Sequence, residues 1–207
     1  DHESSEPLPA TVDIESLVEQ TTADDLREFL LDTLADDGDI RDRFVAFVGE
    51  DTGKTVYDYK QELDRLFDDA VGRRGMVEYD THIDFSPYFD LAETHRERGH
   101  VDTATDIYRA IAEAIRENMN RIDGSTGYYG REVERAIESY AETVAEHDLS
   151  HERKQPHIEY LCDAFLSADH GFATDSYGDA LRTICTSAAD LEYWLQLLDK
   201  RISGVSL

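Results

Sequence analysis

Residues 101–122 read VDTATDIYRAIAEAIRENMNRI. Apolar side chains recur along this stretch at gaps of three and four, the spacing of one helical face. They are Val101, Ala104, Tyr108, Ile111, Ile115, Met119 and Ile122. The pattern predicts a helix from about His100 to Ile122, which is about six turns long.

A second helix is predicted immediately before this stretch. Ser86-Pro87 is a typical helix start, because proline is tolerated in the first turn. Tyr88, Leu91, Ala92 and His95 form the apolar face of this helix, and Gly99 ends it. A single glycine between two periodic segments predicts an antiparallel helix pair.

The pair from Tyr88 to Glu117 resembles a tetratricopeptide repeat. The positions that match the motif are Tyr88, Leu91, Ala92, Gly99, Ala104 and Tyr108. The departures are His95 at a usual aromatic position, Ile111 at a small-residue position, and the missing closing proline. The resemblance implies a stack of antiparallel helix pairs forming an α–α superhelix. It also implies that the non-core positions of the first helix line a partner-binding groove: Ser86, Phe89, Glu93, Arg96 and Glu97. For Phe89 the alternative is packing against the helix predicted at 55–74.

Helical periodicity recurs through the rest of the chain. The predicted helices cover residues 12–20, 22–36, 40–48, 55–74, 86–98, 100–122, 131–146, a segment opened by Pro156, and two segments carrying Tyr177–Ile184 and Leu191–Leu198. Thr22 and Asp25 predict a capping pair for the second helix, and 76–84 is predicted to be an extended linker. The result is an all-α chain of about nine helices. We expect a disordered acidic lead-in at 1–11 and one helical-repeat domain at 12–207. Its parts are N-terminal helices at 12–75, the repeat-like pair at 84–123 and C-terminal helices at 128–203.

The charge is strongly one-sided, with 47 acidic residues against 20 basic ones and a net charge of −27. Only four of the basic residues are lysines: Lys54, Lys60, Lys154 and Lys200. Molar salt shortens the screening length to about 3 Å, which would remove most of the self-repulsion of such a chain. The composition therefore predicts a haloarchaeal protein working in a potassium-rich cytoplasm. The alternative is an acidic protein with a basic partner.

A wider likeness covers roughly Val56 to Phe165. The runs AIAEAI at 110–115 and NRIDGSTG at 120–127 are similar to the helical C-terminal region of SWIM-type zinc-finger proteins. The zinc motif of that family, Cys-X-Cys followed by Cys-X-His, has no counterpart in this sequence. The resemblance therefore implies an accessory helical domain, and not a zinc finger.

The sequence predicts no catalytic, metal or cofactor site. His147 and His151 are separated by a predicted helix end, while His95 and His100 lie on either side of Gly99. Neither pair has the further ligands that a zinc site needs. The segment 49–55 reads GEDTGKT and lacks the glycine spacing of a phosphate loop. The two cysteines, Cys162 and Cys185, are predicted to be buried thiols.

These observations favour a non-catalytic protein-interaction scaffold with an unidentified protein partner. We expect no membrane span, because no run of 18 apolar residues occurs. We expect no direct nucleic-acid binding, because the acidic field repels phosphate. Two alternatives stay open. One is a metal-dependent hydrolase built from scattered His and Asp residues, and the other is a regulator of nucleic-acid processing that acts through a DNA-binding partner.

Overall fold

The computed structural model describes residues 13–48, 53–71, 76–77, 81–122, 127–167 and 173–204. These ranges hold ten α-helices and a 3-10 helix at Met119–Arg121, so the all-α prediction is confirmed. Pairing of extended segments within them is limited to isolated bridges from Val77 to Val71 and Ile122. The helices are α1 (Ile14–Gln20), α2 (Ala23–Asp36), α3 (Gly38–Val48), α4 (Val56–Ala70), α5 (Ser86–Glu97), α6 (Val101–Glu117), α7 (Tyr128–Glu146), α8 (His151–Ser167), α9 (Thr174–Ile184) and α10 (Ala188–Ile202).

The chain divides into two compact units at the Arg41–Asp42 boundary. This boundary falls inside the predicted group of N-terminal helices at 12–75. The first unit contains α1, α2 and the start of α3, and the second contains α4 to α10. The predicted lead-in at 1–11 lies outside the described residues. No helix in the described ranges has the length and apolar character required to cross a membrane.

Helices α5 and α6 form the predicted antiparallel pair. The imidazoles of His95 and His100 meet at the turn, whereas the rings of Phe89 and Tyr108 meet further along both helices. Gly99 has a φ of 79°, a left-handed conformation that glycine adopts without a steric penalty. Ala92 and Ala104 are fully buried, and small side chains of this kind let two helices approach closely. The stacking of such pairs into a superhelix stays a prediction.

Helix α6 lies at the centre of the second unit. Ten of its 17 residues are buried, and it packs against α4, α5 and α7. The predicted stripe from Val101 to Ile115 is buried, and so are Ile107 and Ala110 outside it. Burial therefore extends around more of the helix than its periodicity alone indicates.

The prediction that this helix continues to Ile122 was wrong. The α-helix ends at Glu117. The side chain of the next residue, Asn118, donates to the carbonyl of Ala114 and to the carboxylate of Asp64, each at 2.9 Å. These bonds satisfy a helix-end carbonyl and fix the change into the 3-10 turn.

Helix α7 begins earlier than predicted, because Tyr128 and Tyr129 belong to the helix and not to the loop before it. The Tyr128 hydroxyl donates to the carbonyl of Ile83 at 2.9 Å. The Tyr129 hydroxyl lies 3.4 Å from the carbonyl of Thr81. The two tyrosines thereby hold the extended segment that leads into α5, in which Ile83 is buried.

Helix α8 also corrects a predicted boundary. Pro156 was predicted to open this helix, but it lies inside it. Proline cannot donate the backbone hydrogen bond to the residue four positions earlier, which is Glu152. The helix nevertheless continues through Pro156, and residues on both sides of it, Lys154, His157 and Ile158, are buried within the second unit.

Other predictions were confirmed in part. The side chain of Thr22 accepts a hydrogen bond from the backbone of Asp25 at 3.2 Å, as the capping signal indicates. Cys162 and Cys185 are buried free thiols. In α10, however, helical spacing places Leu191, Leu195 and Leu198 on one face, yet Leu195 is 64% exposed and Leu197, which lies off that face, is buried. Among the described elements α10 packs extensively only against α8, so it buries a narrow stripe.

Candidate functional site

The predicted groove residues of α5 occupy different environments. Ser86, Glu93 and Glu97 are exposed, and Arg96 is partly buried. Phe89 is only 3% exposed. Three of the five side chains are therefore available to a partner, and whether they bind one stays a prediction.

The placement of Phe89 in a groove is corrected by the structure. Its ring lies 6.1 Å from the ring of Tyr108 on α6. The guanidinium of Arg135, which belongs to α7, lies 3.8 Å from the centre of the Phe89 ring. Phe89 is therefore a core residue where α5, α6 and α7 meet. The repeat motif could not show this, because the covering residue comes from a helix outside the repeat.

Arg96 connects α5 to α7 through ion pairs. Its guanidinium binds the Glu146 carboxylate at 2.7 Å and lies 3.2 Å from Glu93 and 3.7 Å from Glu142. The hydrogen bonds to Glu146 raise the pKa of Arg96, although partial burial opposes the shift. The charge of Arg96 is thus already neutralised within the fold, which leaves little of it for an acidic partner.

Five of the histidines in the described ranges have hydrogen-bonded rings: His95, His100, His147, His151 and His157. The Nδ1 atoms of His95 and His100 are 3.2 Å apart. His147 accompanies the end of α7, while His151 begins α8, so the predicted helix end between them is confirmed. Across the described ranges, no group of three or more His, Cys, Asp or Glu residues is placed to hold a metal ion.

A buried charge cluster joins α8 to the start of α10. Asp190 is 1% exposed and accepts a hydrogen bond from His151 at 2.8 Å. The ammonium group of Lys154 lies 3.6 Å from Asp190 and donates to Thr186 at 3.0 Å. Burial raises the pKa of the Asp190 carboxyl, but hydrogen bonds from His151 and Ser187 and the charge of Lys154 outweigh it and lower the pKa to about 2. The cluster fixes the N-terminus of α10. The Asp190 carboxylate is enclosed by side chains that hold α8 and α10 together.

A cleft of about 480 Å³ lies between α6 and α8. The guanidinium of Arg109 is 4.3 Å from the centre of the Tyr160 ring, and that of Arg116 is 5.3 Å from the centre of the Tyr177 ring. Three carboxylates also line the cleft: Glu113, Glu159 and Asp163. Because these acids outnumber the two arginines, the cleft does not favour an anionic ligand.

The first unit presents exposed apolar side chains on α1 and α2, neither of which contains a buried residue. Phe29 is 70% exposed and Leu31 is 61% exposed. We call the following exposed residues the N-terminal apolar stripes: Ile14, Leu17 and Val18 on α1, with Phe29 and Leu31 on α2. Large exposed apolar groups that occur together mark an interaction surface more often than single scattered ones do.

No protein-family model, curated protein sequence or solved structure matched this chain.

Helical spacing places Leu26, Phe29, Leu30 and Leu34 on one side of α2, but this spacing alone did not distinguish an interaction surface from a buried face. A signal was present in the charges. Residues 13–41 contain ten acidic and two basic residues. With only two basic residues in this segment, most of its carboxylates cannot form an ion pair with a neighbour in the same segment. Apolar side chains surrounded by such carboxylates therefore indicate a surface that suits a cationic partner.

Proposed function

We propose that this chain is a non-catalytic protein-interaction scaffold of a salt-rich cytosol, and that the N-terminal apolar stripes contact its protein partner. The observation that carries the proposal is the exposure of Phe29 and Leu31 on a helix without a buried residue. Burying one such side chain against a partner would contribute about 1.5–3 kcal/mol.

The lengths of the two helices support this proposal. Helix α1 has seven residues and α2 has 14. Isolated helices shorter than about 12–15 residues are marginal in water, and most helical stability in proteins comes from packing of an apolar face. Caps at Asp13 and Thr22 favour helix formation locally, and each contributes only about 1 kcal/mol. A partner that covers the stripes would supply the missing packing.

The second unit adds a compact helical body to this scheme. Its helices enclose a common apolar core that includes Tyr59, Phe67, Tyr108 and Tyr177. The exposed residues Ser86, Glu93 and Glu97 of α5 provide a second candidate contact surface within the same proposal. The negative charge favours a protein partner over nucleic acid. The likeness to SWIM-associated helical regions would place that partner in a zinc-finger complex.

The test is affinity capture from native lysate in molar KCl, followed by mass spectrometry, with three baits. The baits are the wild-type chain, Phe29→Glu, and the control Leu195→Glu, which places the same charge on an exposed apolar position of α10. We expect a partner that the wild type and Leu195→Glu retain and that Phe29→Glu loses. Equal recovery by all three baits would contradict the assignment to α2.

Hydrogen exchange gives an independent readout. The amides of α1 and α2 should exchange fast in the free chain and slow down when the captured partner is added, because short exposed helices open readily. Protection that appears only in α5 would move the interface to the repeat-like pair.

A further inference from the structure

Resting on the proposed function, we infer that α2 binds a cationic amphipathic helix whose lysine or arginine side chains lie beside Phe29. Such a partner would place its apolar face against the Phe29 side of α2, a helix-to-helix mode of recognition. The inference depends on where the carboxylates of α2 lie relative to its apolar side chains.

The apolar side chains of α2 occupy about half of the helix circumference. At about 100° per residue, Phe29 and Leu31 mark the two edges of an arc of about 200°. Leu26, Leu30 and Leu34 lie between these edges and are partly buried. The two edges are thus the exposed part. Because they lie about 200° apart around the helix, one partner helix can pack on only one of them, and we assign the cationic partner to the edge at Phe29.

The edge at Phe29 is acidic. Asp25 precedes Phe29 by four residues and Asp32 follows it by three, so both are neighbours of the ring on the helix surface. Asp36 follows one turn later along the same edge. The single basic residue of α2, Arg27, is four residues before Leu31 and therefore lies at the opposite edge.

Among the residues that the structure describes, these carboxylates have no cationic partner. Between described residues, no acidic side chain of 13–41 forms an ion pair, whereas the second unit contains many, such as Arg96 with Glu146 and Arg201 with Asp163. Asp25 accepts a hydrogen bond from the Thr22 hydroxyl at 2.6 Å, which leaves its negative charge uncompensated. An exposed aromatic ring flanked by uncompensated carboxylates suits a cation, which gains both ion pairs and a cation–π contact.

A second copy of this chain would fit the same surface poorly, because its own acidic edge would face Asp32 and Asp36. In molar salt the screening length is about 3 Å. Only charges in direct contact then attract or repel each other appreciably. The apolar side chains would therefore supply most of the affinity, and the carboxylates beside Phe29 would select the partner's charge and orientation.

The experiment uses the full chain and three fluorescein-labelled peptides of about 18 residues, or five helical turns. One is an amphipathic Lys/Leu helix, one is the matched Glu/Leu helix, and one is a scrambled Lys/Leu sequence without helical periodicity. Fluorescence anisotropy in molar KCl measures each affinity. We expect the Lys/Leu helix to bind at least about tenfold more tightly than either of the others, equivalent to about 1.4 kcal/mol.

Variants assign the effect to α2. Phe29→Glu should weaken binding of the Lys/Leu helix at least tenfold, and Leu195→Glu should leave it unchanged. The double variant Asp32→Lys/Asp36→Lys should reverse the preference toward the Glu/Leu helix. If circular dichroism shows that Phe29→Glu has lost helix, Phe29→Ala replaces it, with the same expected direction.

The outcomes separate the two proposals. One outcome is that the wild-type chain binds the Lys/Leu and Glu/Leu helices equally well and that Phe29→Glu binds neither. The interaction surface then stands, and the cationic partner is refuted. If no peptide responds to Phe29→Glu, both are refuted. If light scattering shows a wild-type dimer that Phe29→Glu converts to a monomer, a second copy is the occupant and the cationic helix is wrong.

Discussion

Replacing Phe89 with alanine removes a ring that is only 3% exposed and lies between three helices. Deleting a buried phenylalanine side chain costs about 3–5 kcal/mol through lost burial and the cavity left behind. The Phe89 ring also contacts the Tyr108 ring and the Arg135 guanidinium. Contacts of these two kinds contribute about 0.5–1.5 and 0.5–1 kcal/mol respectively. We therefore expect Phe89→Ala to lose free energy of unfolding in the upper part of the 3–5 kcal/mol range.

Urea unfolding in molar KCl measures this loss. With an m-value of about 2 kcal/mol per molar urea, a loss of 4 kcal/mol lowers the midpoint by about 2 M. The m-value itself should stay constant, because a cavity in the folded state changes little of the surface exposed on unfolding. The matched control is Phe29→Ala, the same substitution at a ring that is 70% exposed.

The control should change the free energy of unfolding by no more than about 0.5 kcal/mol, as is usual for surface sites. A Phe89→Ala protein that unfolds at the same urea concentration as Phe29→Ala would refute the core placement of Phe89. It would return this residue to the groove that the repeat motif implies.

Three further predictions concern charge and metal. The Asp190 carboxyl, with its pKa lowered to about 2 from 3.8, should contribute about 2 kcal/mol above pH 4 and lose that contribution as the pH falls from 4 to 2. Asp190→Asn should therefore be less stable than wild type at pH 7 and converge with it near pH 2 in urea titrations, while the control Asp199→Asn, at an exposed position of the same helix, should stay close to wild type throughout. Far-UV circular dichroism should show that thermal stability falls as KCl is reduced from molar to millimolar, because the repulsion among 47 acidic residues grows as screening is lost. Equal thermal stability at both salt concentrations would contradict salt adaptation. Elemental analysis should find less than one zinc per chain, and random duplex DNA should give no gel shift in molar KCl; stoichiometric zinc or a clear shift would contradict these predictions.

Helix periodicity predicted the elements of the second unit well where a helix is enclosed by several neighbours. Helix α4 illustrates this, since Tyr59, Leu63 and Phe67, which are spaced four residues apart, are fully buried. Periodicity worked less well at helix ends, where single tertiary contacts decide the boundary. Asn118 ends α6 through a bond to Asp64, which is distant in sequence. The tyrosines at 128 and 129 are helical while their hydroxyls reach the segment before α5.

The buried charge cluster at α10 could not be derived from spacing. Asp190 and Ser187 form a recognisable capping box, but a capping acid is usually exposed. Asp190 is buried because His151 and Lys154 approach from α8, more than 30 residues earlier in the chain. The identity of these partners depends on helix packing, which a local pattern does not contain.

The same limit explains why the candidate interface moved from α5 to α2. Both α2 and α6 carry apolar residues at helical spacing, yet α2 has no buried residue and α6 has ten. An apolar stripe indicates only that a helix needs a neighbour, and the neighbour can be in the same chain or in another. In α6 the neighbours are α4, α5 and α7. In α2 the Phe29 ring is exposed and the carboxylates beside it form no ion pair with a described residue, which favours a partner from another chain. The double variant Asp32→Lys/Asp36→Lys tests this interpretation most directly, because it should reverse the preference between the two peptides.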